Sequence, residues 1–478
     1  MCGINLIIDK NNYLGAAAIQ KMARATHHRG PEHNDIVEID GKPKIFLGHN
    51  RLKIIERSNG ANQPFVSPCK RYFLIYNGEI YNFLDLRNQL LDQGILFTTY
   101  SDTEVLMHLM ISKGESALSL LEGMFSFIFY DKESSLVTMA RDRNGIKPLF
   151  YYHDENYIIA SSETKGILAS GLISKSLNEK QIFHYLKYRY ANSPETFFEG
   201  IYHVAPGSYI SIYKDKIINK ASFEPNAENP EKTSLSKAQI ISKTEELIID
   251  ALTNQIVADV PVGLFLSGGV DSTLILALMQ HSGIPMVPSF SIVHKKKEKS
   301  FGTDDYIFAK EAAAQYGSYH YSIAVDIEDL NAFDGFIQDL DQPIGDSAAF
   351  LTYKLSYEAK KNVGVVLSGA GADEVFAGYH RHRAFQKYLE NYNLIKGYSP
   401  LLKKLLQIMP SGFDHPLRKH FQLGKKFARN YSELPGKTFA NFTSLNIPGI
   451  AFTENYPAFK DPNDIEGNLM AALEFDKE

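Results

Sequence analysis

Two hydrophobic rhythms divide this chain, and the change between them constrains its fold more than any other feature. Through the first 200 or so residues, apolar runs of strand length recur: INLII, KIFLGH, RYFLIYN, MFSFIFYD, LVTMARD, PLFYYHD and YIIASS. Turn-forming stretches such as NGAN, DKES and DENY separate them. Only residues 83–93 and 103–113 have helical spacing there. Many short strands with few helices indicate sheets stacked face to face. The stretch EPNAENPEKTS at 224–234 has no periodicity and two prolines, so it reads as a linker. Beyond it Ile241, Ile248 and Leu252 lie at helical spacing, and VGLFL, SFSIV and VGVVL appear as short apolar strands with helical segments between them. Strand and helix alternating at that scale argue for a parallel α/β sheet. From residue 384 on, helix and loop are expected without a clear sheet signal.

At 478 residues the chain has room for two or three domains of roughly 100–200 residues each. The expected division is 1–205, a linker at 206–236, and 237–478. Net charge is −5 and no long basic run occurs, so a nucleic-acid partner is not expected. The densest cluster, KKKEK at 295–299, reads as a solvated loop. Two cysteines exclude a disulfide framework and fit a reducing compartment. No run approaches the ~18 apolar residues of a membrane helix, and the start MCGINLIIDKNN is too quickly charged for a secretory signal. A cytoplasmic protein without a membrane partner is expected.

Cys2 is the first candidate for chemistry. Cysteine at position 2 is small enough for Met1 to be removed, which would leave Cys2 with a free α-amine. An α-amine of unperturbed pKa about 7.7–8.0 can take a thiol proton near neutral pH. One residue then supplies nucleophile and base. Alone, a Cys at this position reads as a small buried residue at a strand start. Its company changes that reading. His28-Arg29-Gly30-Pro31-Glu32 makes a charged turn, and Arg51 ends a strand. Asn77-Gly78-Glu79-Ile80-Tyr81-Asn82 follows the strand RYFLIY, and Ser101 or Asp102 caps a helix in Ser101-Asp102-Thr103-Glu104. Hydrolysing the side-chain amide of a free amino acid needs a cation for its carboxylate, an anion for its ammonium and an oxyanion hole. Singly, Arg51 and Asp102 would read as surface charges and Asn77-Gly78 as a hairpin turn.

Met1-Cys2-Gly3-Ile4, HRGP, NGEIYN and SDTE, in that order, resemble the class II glutamine amidotransferases over residues 2 to about 190. The resemblance implies an α+β N-terminal nucleophile hydrolase sandwich (αββα) of antiparallel sheets. It implies Cys2 as nucleophile, Arg51 for the glutamine α-carboxylate, and the Asn77 side chain with the Gly78 N–H as oxyanion hole. Asp102, helped by Glu79, would hold the glutamine ammonium. Glu32 stands where the family often has Asp.

The second signal is the strand at 262–266 followed by Ser267-Gly268-Gly269-Val270-Asp271-Ser272 and an apolar helix pattern. Glycines let backbone approach an anion, and amides at the helix start point at it. No Gly-Lys-Ser/Thr follows, so this is not a Walker A loop. Val365-Val366-Leu367-Ser368-Gly369-Ala370-Gly371-Ala372-Asp373-Glu374 repeats strand, glycine turn and acidic pair. Asp271 and Asp373 fall at strand ends, where ligands of such sheets bind, and could hold Mg²⁺ against phosphate oxygens.

SGGVDS after a strand resembles the pyrophosphate loop of ATP pyrophosphatases, and the half from about 237 resembles the asparagine synthetase family. The implied fold is an α/β parallel-sheet ATP-pyrophosphatase-type domain. The implied ATP site uses Leu266, Ser267, Gly268, Gly269, Asp271, Ser272, Ile292, Ser368 and Gly369, with Asp271 and Asp373 on Mg²⁺ and residues 341–343 nearby. The implied reaction makes an acyl-adenylate from a carboxylate, aspartate above all. Ammonia from Cys2 then reaches it through an internal tunnel and displaces AMP. A homodimer is compatible with this reading.

Two departures bear on the acceptor. Ala370 stands where family members often carry an acidic residue, and alanine is neither acid nor base. The chain also stops before a family segment Glu-x-Arg-x-Pro-Phe and a later lysine, so it is expected to be truncated. The alternatives are an amidotransferase for a surface-sugar or secondary-metabolite carboxylate, and a regulatory protein that keeps the fold. The histidine pairs His27-His28 and His380 with His382 read as surface or loop residues rather than metal ligands.

Overall fold

The computed structural model describes residues 1–223, 233–294, 305–325, 332–346, 348–397 and 435–443. The basic run at 295–299, residues 224–232 of the expected linker and everything from 444 onward lie outside the described residues. The chain forms two compact units, residues 1–177, 193–343 and 347–369 in one, and 178–192, 344–346 and 370–478 in the other.

Among the described residues the first unit holds sixteen strands. They are β1 (Gly3–Asp9), β2 (His33–Ile39), β3 (Lys44–Arg51), β4 (Phe65–Val66), β5 (Tyr72–Ile80), β6 (Gly123–Asp131), β7 (Leu136–Arg141) and β8 (Phe150–His153). β9 (Tyr157–Ser161), β10 (Ile201–His203), β11 (Ser208–Tyr213), β12 (Lys216–Ser222), β13 (Val262–Phe265), β14 (Ser289–His294), β15 (His320–Val325) and β16 (Val365–Ser368) follow. Two six-stranded sheets, β10-β8-β9-β1-β3-β2 and β12-β11-β7-β6-β5-β4, pair antiparallel throughout.

Period-2 alternation sorts their side chains into layers. Ile4, Leu6 and Ile8 of β1 meet Phe73 and Ile75 of β5, with Ile128 and Met139, in one buried cluster between the sheets. Ile7 points the other way, onto Ile19 and Met22 of α1 (Ala17–Ala25). Leu74 and Tyr76 likewise turn outward to α2 (Phe83–Asp92) and α3 (Asp102–Lys113). Helices cover both outer faces, which gives the expected αββα sandwich. The second sheet continues past residue 205, the expected end of this domain. β11 pairs with β7 from Ser208↔Arg141, and β12 forms the edge. Residues 208–222 are therefore sheet rather than linker. β12 is an edge strand with most side chains in solvent, so KIINKAS carries too few apolar residues to announce itself.

The third sheet, β15-β14-β13-β16, is parallel throughout. One face packs Leu264 and Leu367 against α6 (Lys237–Gln255), α7 (Val270–His281) and α8 (Asp305–Tyr316). On the other face Phe290 meets Leu355 and Ala359 of α10, which spans Ala348–Ala359. α4 (Thr164–Ala169) and α9 (Phe333–Asp339) complete this unit. The second unit carries α5 (Glu179–Tyr188), α11 (Ala372–Val375), α12 (His380–Glu390) and α13 (Pro435–Thr443). There Phe385 packs against Phe439, with ring centroids 4.9 Å apart.

Candidate active site

A cavity of about 340 Å³ opens at the start of β1. Cys2, Arg51, Asn77, Gly78, Glu79 and Asp102, all expected site residues, line it together. The strands explain the convergence. β1 pairs with β3 so that Gly3 faces Asn50, which sets Cys2 beside Arg51 and Leu52. The Leu52 amide donates to the Cys2 sulfur at 3.4 Å. Asn77 and Glu79 continue the inward row of Phe73 and Ile75 along β5. At Gly78 an added Cβ would overlap the Met124 carbonyl oxygen and lie 2.7 Å from the Phe125 Cα. Only glycine lets β5 and β6 approach this closely.

Asn77 is completely buried, and neither its Oδ1 nor its Nδ2 has a hydrogen-bond partner among the described residues. Buried amides are almost always paired, so this one lacks something the cavity would receive. Asp102 opens α3. It accepts the Tyr76 hydroxyl at 2.8 Å and the Ile80 amide at 3.2 Å, and burial pushes its carboxyl upward. Burial also pushes Glu79 up to about 7, with Lys147 opposing and Asp102 adding to the rise.

Arg51 is hydrogen-bonded within the chain. Its Nη1 donates to the Ser58 carbonyl at 2.8 Å and to Asn62 Oδ1 at 2.7 Å, and its Nη2 reaches the carbonyls of Ile55 and Glu56. The guanidinium expected to bind a carboxylate is here hydrogen-bonded to the loop that follows β3.

The Cys2 thiol is pushed up by burial, with the neighbouring amine, Arg51 and Arg29 pulling the other way. The α-amine at Met1 is pushed down to about 5, chiefly by burial. An amine there is a free base in neutral water. Arg29, noted in the sequence only as a charge in a turn, donates from Nε to the Cys2 carbonyl at 2.9 Å and from Nη1 to Glu163 at 2.8 Å. His28 adds a 3.0 Å contact to the same carboxylate. Glu163 and the cavity-lining Lys147 escaped the sequence reading. Lys147 follows a turn in which Asp142 accepts the amides of Asn144, Ile146 and Lys147. The signal for that turn was present in RDRNGIKP, an Asp two residues before Asn-Gly.

The second expected constellation gathers at the end of β13. Ser267 and Ser272 share a 3.0 Å hydroxyl contact, and the Ser267 hydroxyl accepts the Gly269 amide at 3.2 Å. Gly268 has φ +80°, and an added Cβ there would overlap the Asp305 carbonyl oxygen. The Leu266 amide donates to the Phe290 carbonyl at 2.9 Å. Ser368 pairs with Phe265, and a Cβ on Gly369 would lie 2.8 Å from the Ser272 amide. Asp271 stands in the first turn of α7. Ile292 packs with Ile323 against the Phe290 cluster. Asp373 belongs to the second unit, where Gly378 leaves room for its carboxylate.

Asp341, expected near the nucleotide, accepts the amides of Thr164 and Lys165 at 2.8 and 2.9 Å, and Gln342 accepts the Phe197 amide. Among the described residues no three His, Cys, Asp or Glu side chains converge as a metal site, and no helix is long and apolar enough to cross a membrane.

A family model for a glutamine amidotransferase domain matches residues 1–223, and one for asparagine synthase matches residues 243–438. The chain is 34% identical over 405 residues to a putative asparagine synthetase [glutamine-hydrolyzing] of Methanocaldococcus jannaschii, covering 80% of this chain and 76% of that protein. It is 31% identical over 422 residues to asparagine synthetase [glutamine-hydrolyzing] 1 of Bacillus subtilis, covering 86% of this chain but 64% of that protein's length. It is also 30% identical over 377 residues to a Penicillium rubens protein named amidase chyE, covering 75% of this chain and 54% of the other.

Proposed function

Because the chain belongs to the glutamine-hydrolysing asparagine synthetase family, we propose that it frees ammonia from glutamine at Cys2 and spends ATP to place it on a carboxylate, that of aspartate. The observation that carries this reading is the buried Asn77 amide, without a partner, in the cavity that Cys2 also lines. A donor held dry and unpaired is what a developing oxyanion requires.

With Met1 removed, the Cys2 amine takes the thiol proton and the thiolate attacks the glutamine side-chain carbonyl. Negative charge on oxygen is taken up by the Asn77 Nδ2 and the Gly78 N–H. The protonated amine returns its proton to the leaving nitrogen, and ammonia departs. The same amine then activates a water that cleaves the thioester, and glutamate leaves. Arg51 receives the α-carboxylate, which takes the place of loop carbonyls at 55–58. Asp102 and Glu79 receive the ammonium.

Gly364, Val365 and Val366 line the same cavity, and β16 runs from them to Ser368 beside the glycine loop. Four residues of strand span about 13 Å. This supports a short, largely apolar route for ammonia from one site to the other. At the far end, the loop amides at 267–269 and the start of α7 receive the phosphates of ATP. The substrate carboxylate attacks the α-phosphate, pyrophosphate leaves, and ammonia displaces AMP from the acyl group. The hard carboxylate of Asp271, in the first turn of α7, suits Mg²⁺, which when bound would neutralise phosphate charge.

A second acceptor is favoured by one residue. Ala370 removes an acid or base from the synthetase half, and the Penicillium relative is named an amidase. The deciding experiment supplies purified protein with glutamine, ATP, Mg²⁺ and aspartate and measures glutamate, asparagine, AMP and pyrophosphate. All four products are expected. Glutamate and AMP without asparagine would move the acceptor elsewhere. No glutamate from protein whose mature N-terminus is Cys2 would end the reading.

A further inference from the structure

Lys147 is a buried cation to which the chemistry above gives no task. Its side chain lines the Cys2 cavity and the residue is 6% exposed. Among the described residues its ammonium has no hydrogen-bond acceptor and no carboxylate in ion-pair range. Its backbone is fixed on both sides. The amide donates to Asp142 at 2.9 Å, and the carbonyl accepts Arg141 Nε at 2.8 Å. Gly145, at φ +62°, makes the turn that presents it. A lysine buried without a partner is costly, since desolvation favours its neutral form. The turn therefore holds this charge where the cavity can feel it. The ionisable groups that face it are Glu79, Arg29, Cys2 and Asp142, in that order of influence.

We propose that Lys147 is a positioning residue for glutamine recognition, whose ammonium acts across the cavity to hold the buried Glu79 as a carboxylate ready for the substrate's ammonium. The inference rests on the glutaminase reading above and deepens it. Glu79 is 8% exposed, so burial opposes its charge. Lys147 is the largest influence acting against that burial, whereas Asp102 raises Glu79 further and the chain's amine, when protonated, lowers it. With Lys147 present, Glu79 stands at about 7 and is ionised to a useful extent in neutral solution. Without that charge, its titration moves to higher pH.

The test compares Lys147→Met, which keeps the length and removes the charge, with Lys147→Arg, which keeps the charge. Glutamine hydrolysis is followed from pH 5.5 to 9. The acid limb of kcat/KM is expected to move up by about one pH unit in Lys147→Met, the size of shift one nearby charge produces. The change should fall mainly on KM, and Lys147→Arg should keep the parent limb. An unmoved limb in Lys147→Met, with equal loss in both variants, would overturn the proposal and leave Lys147 a packing residue.

A second measurement needs no activity. Glu79 titrates higher in the folded chain than in the unfolded one. Its contribution to stability is thus present below pH ~4.5 and lost as pH rises through its folded value. The melting difference between each protein and its Glu79→Gln partner should flatten just above pH 7 in the parent and about one unit later in Lys147→Met. Coincident curves refute the proposal even if the parent proved unable to split glutamine.

Discussion

Asp341 accepts the Thr164 amide at 2.8 Å and the Thr164 hydroxyl at 3.1 Å. A carboxylate from the nucleotide-side sequence thus caps α4 of the αββα sandwich. The residue before Thr164 is Glu163, whose carboxylate holds Arg29, and Arg29 holds the Cys2 carbonyl. Asp341→Ala leaves the first amides of α4 without their acceptor. The expected cost is about 1–2 kcal/mol in denaturant unfolding, the scale of a lost cap. A severalfold fall in glutamine hydrolysis should accompany it, because the residue supporting Arg29 loses its anchor. Asp341→Asn, which still offers one oxygen, should fall between. Unchanged glutaminase kcat in a destabilised Asp341→Ala would break the chain of contacts at Glu163.

Asn77 allows a cleaner separation of function from folding. Among the described residues its amide makes no hydrogen bond, so Asn77→Ala removes no hydrogen bond and relieves a desolvated polar group. Stability is expected to stay within about 1 kcal/mol of the parent. Hydrolysis of glutamine should drop by about 10²–10³ in kcat, the usual loss for one oxyanion donor. Ammonia-fed synthesis should persist. Equal loss of both activities would show that Asn77 supports the fold rather than the oxyanion.

How far these features could be read without coordinates depends on whether a residue's neighbours are near in sequence. Asn77 and Asp102 were legible through the ordered set of motifs and the family it resembles, together with the cap signal at Ser101-Asp102; that β5 continues through Asn77 to Ile80 was not. The glycine loop at 267–269 was legible because strand, turn and helix are consecutive. Glu163 was not, since its partners Arg29 and His28 lie more than 130 residues away and only the pairing of β1 with β9 brings them together. Lys147 sits in a turn whose sequence announces bending but not direction. Asp341 was legible only as a residue on the nucleotide side, and its contacts with Thr164 and Lys165 were not. A short acidic segment between a helix and a loop carries no periodicity to say which surface it meets. The end of the sandwich was misjudged for a related reason, as an edge strand such as β12 needs little hydrophobicity once β11 offers its open side.

Glu163 also predicts an acid response. Burial alone would push its carboxyl up, but the His28 contact and the Arg29 guanidinium outweigh this and hold it down at about 2. A carboxyl lowered in the folded state stabilises above its unfolded value and loses that contribution as pH falls through the folded one. Between pH ~4.5 and 2 the parent should therefore lose stability that Glu163→Gln, already lacking the charge, does not lose. Thermal melts from pH 7 to 3 should show the two proteins converging as pH falls. Parallel curves would mean that the Arg29–Glu163 pair contributes nothing to stability.

Gly268 tests the other half of the molecule. Its φ of +80° lies in the left-handed region that costs an L-residue roughly 1–2 kcal/mol. A methyl there would also overlap the Asp305 carbonyl oxygen and sit 2.7 Å from the Ala309 amide. Gly268→Ala must therefore push the loop away from α8, and the amides at 267–269 go with it. These amides carry the proposed phosphate contacts, whereas the Cys2 cavity takes none of its lining from this loop. AMP and pyrophosphate formation should fall by at least about tenfold, with glutamate release from glutamine kept near the parent rate. Measuring both products in one reaction gives the ratio directly. Were glutamate to fall in step with AMP, the glycine loop would be controlling the first site as well as the second, and the two half-reactions could not be treated as separable.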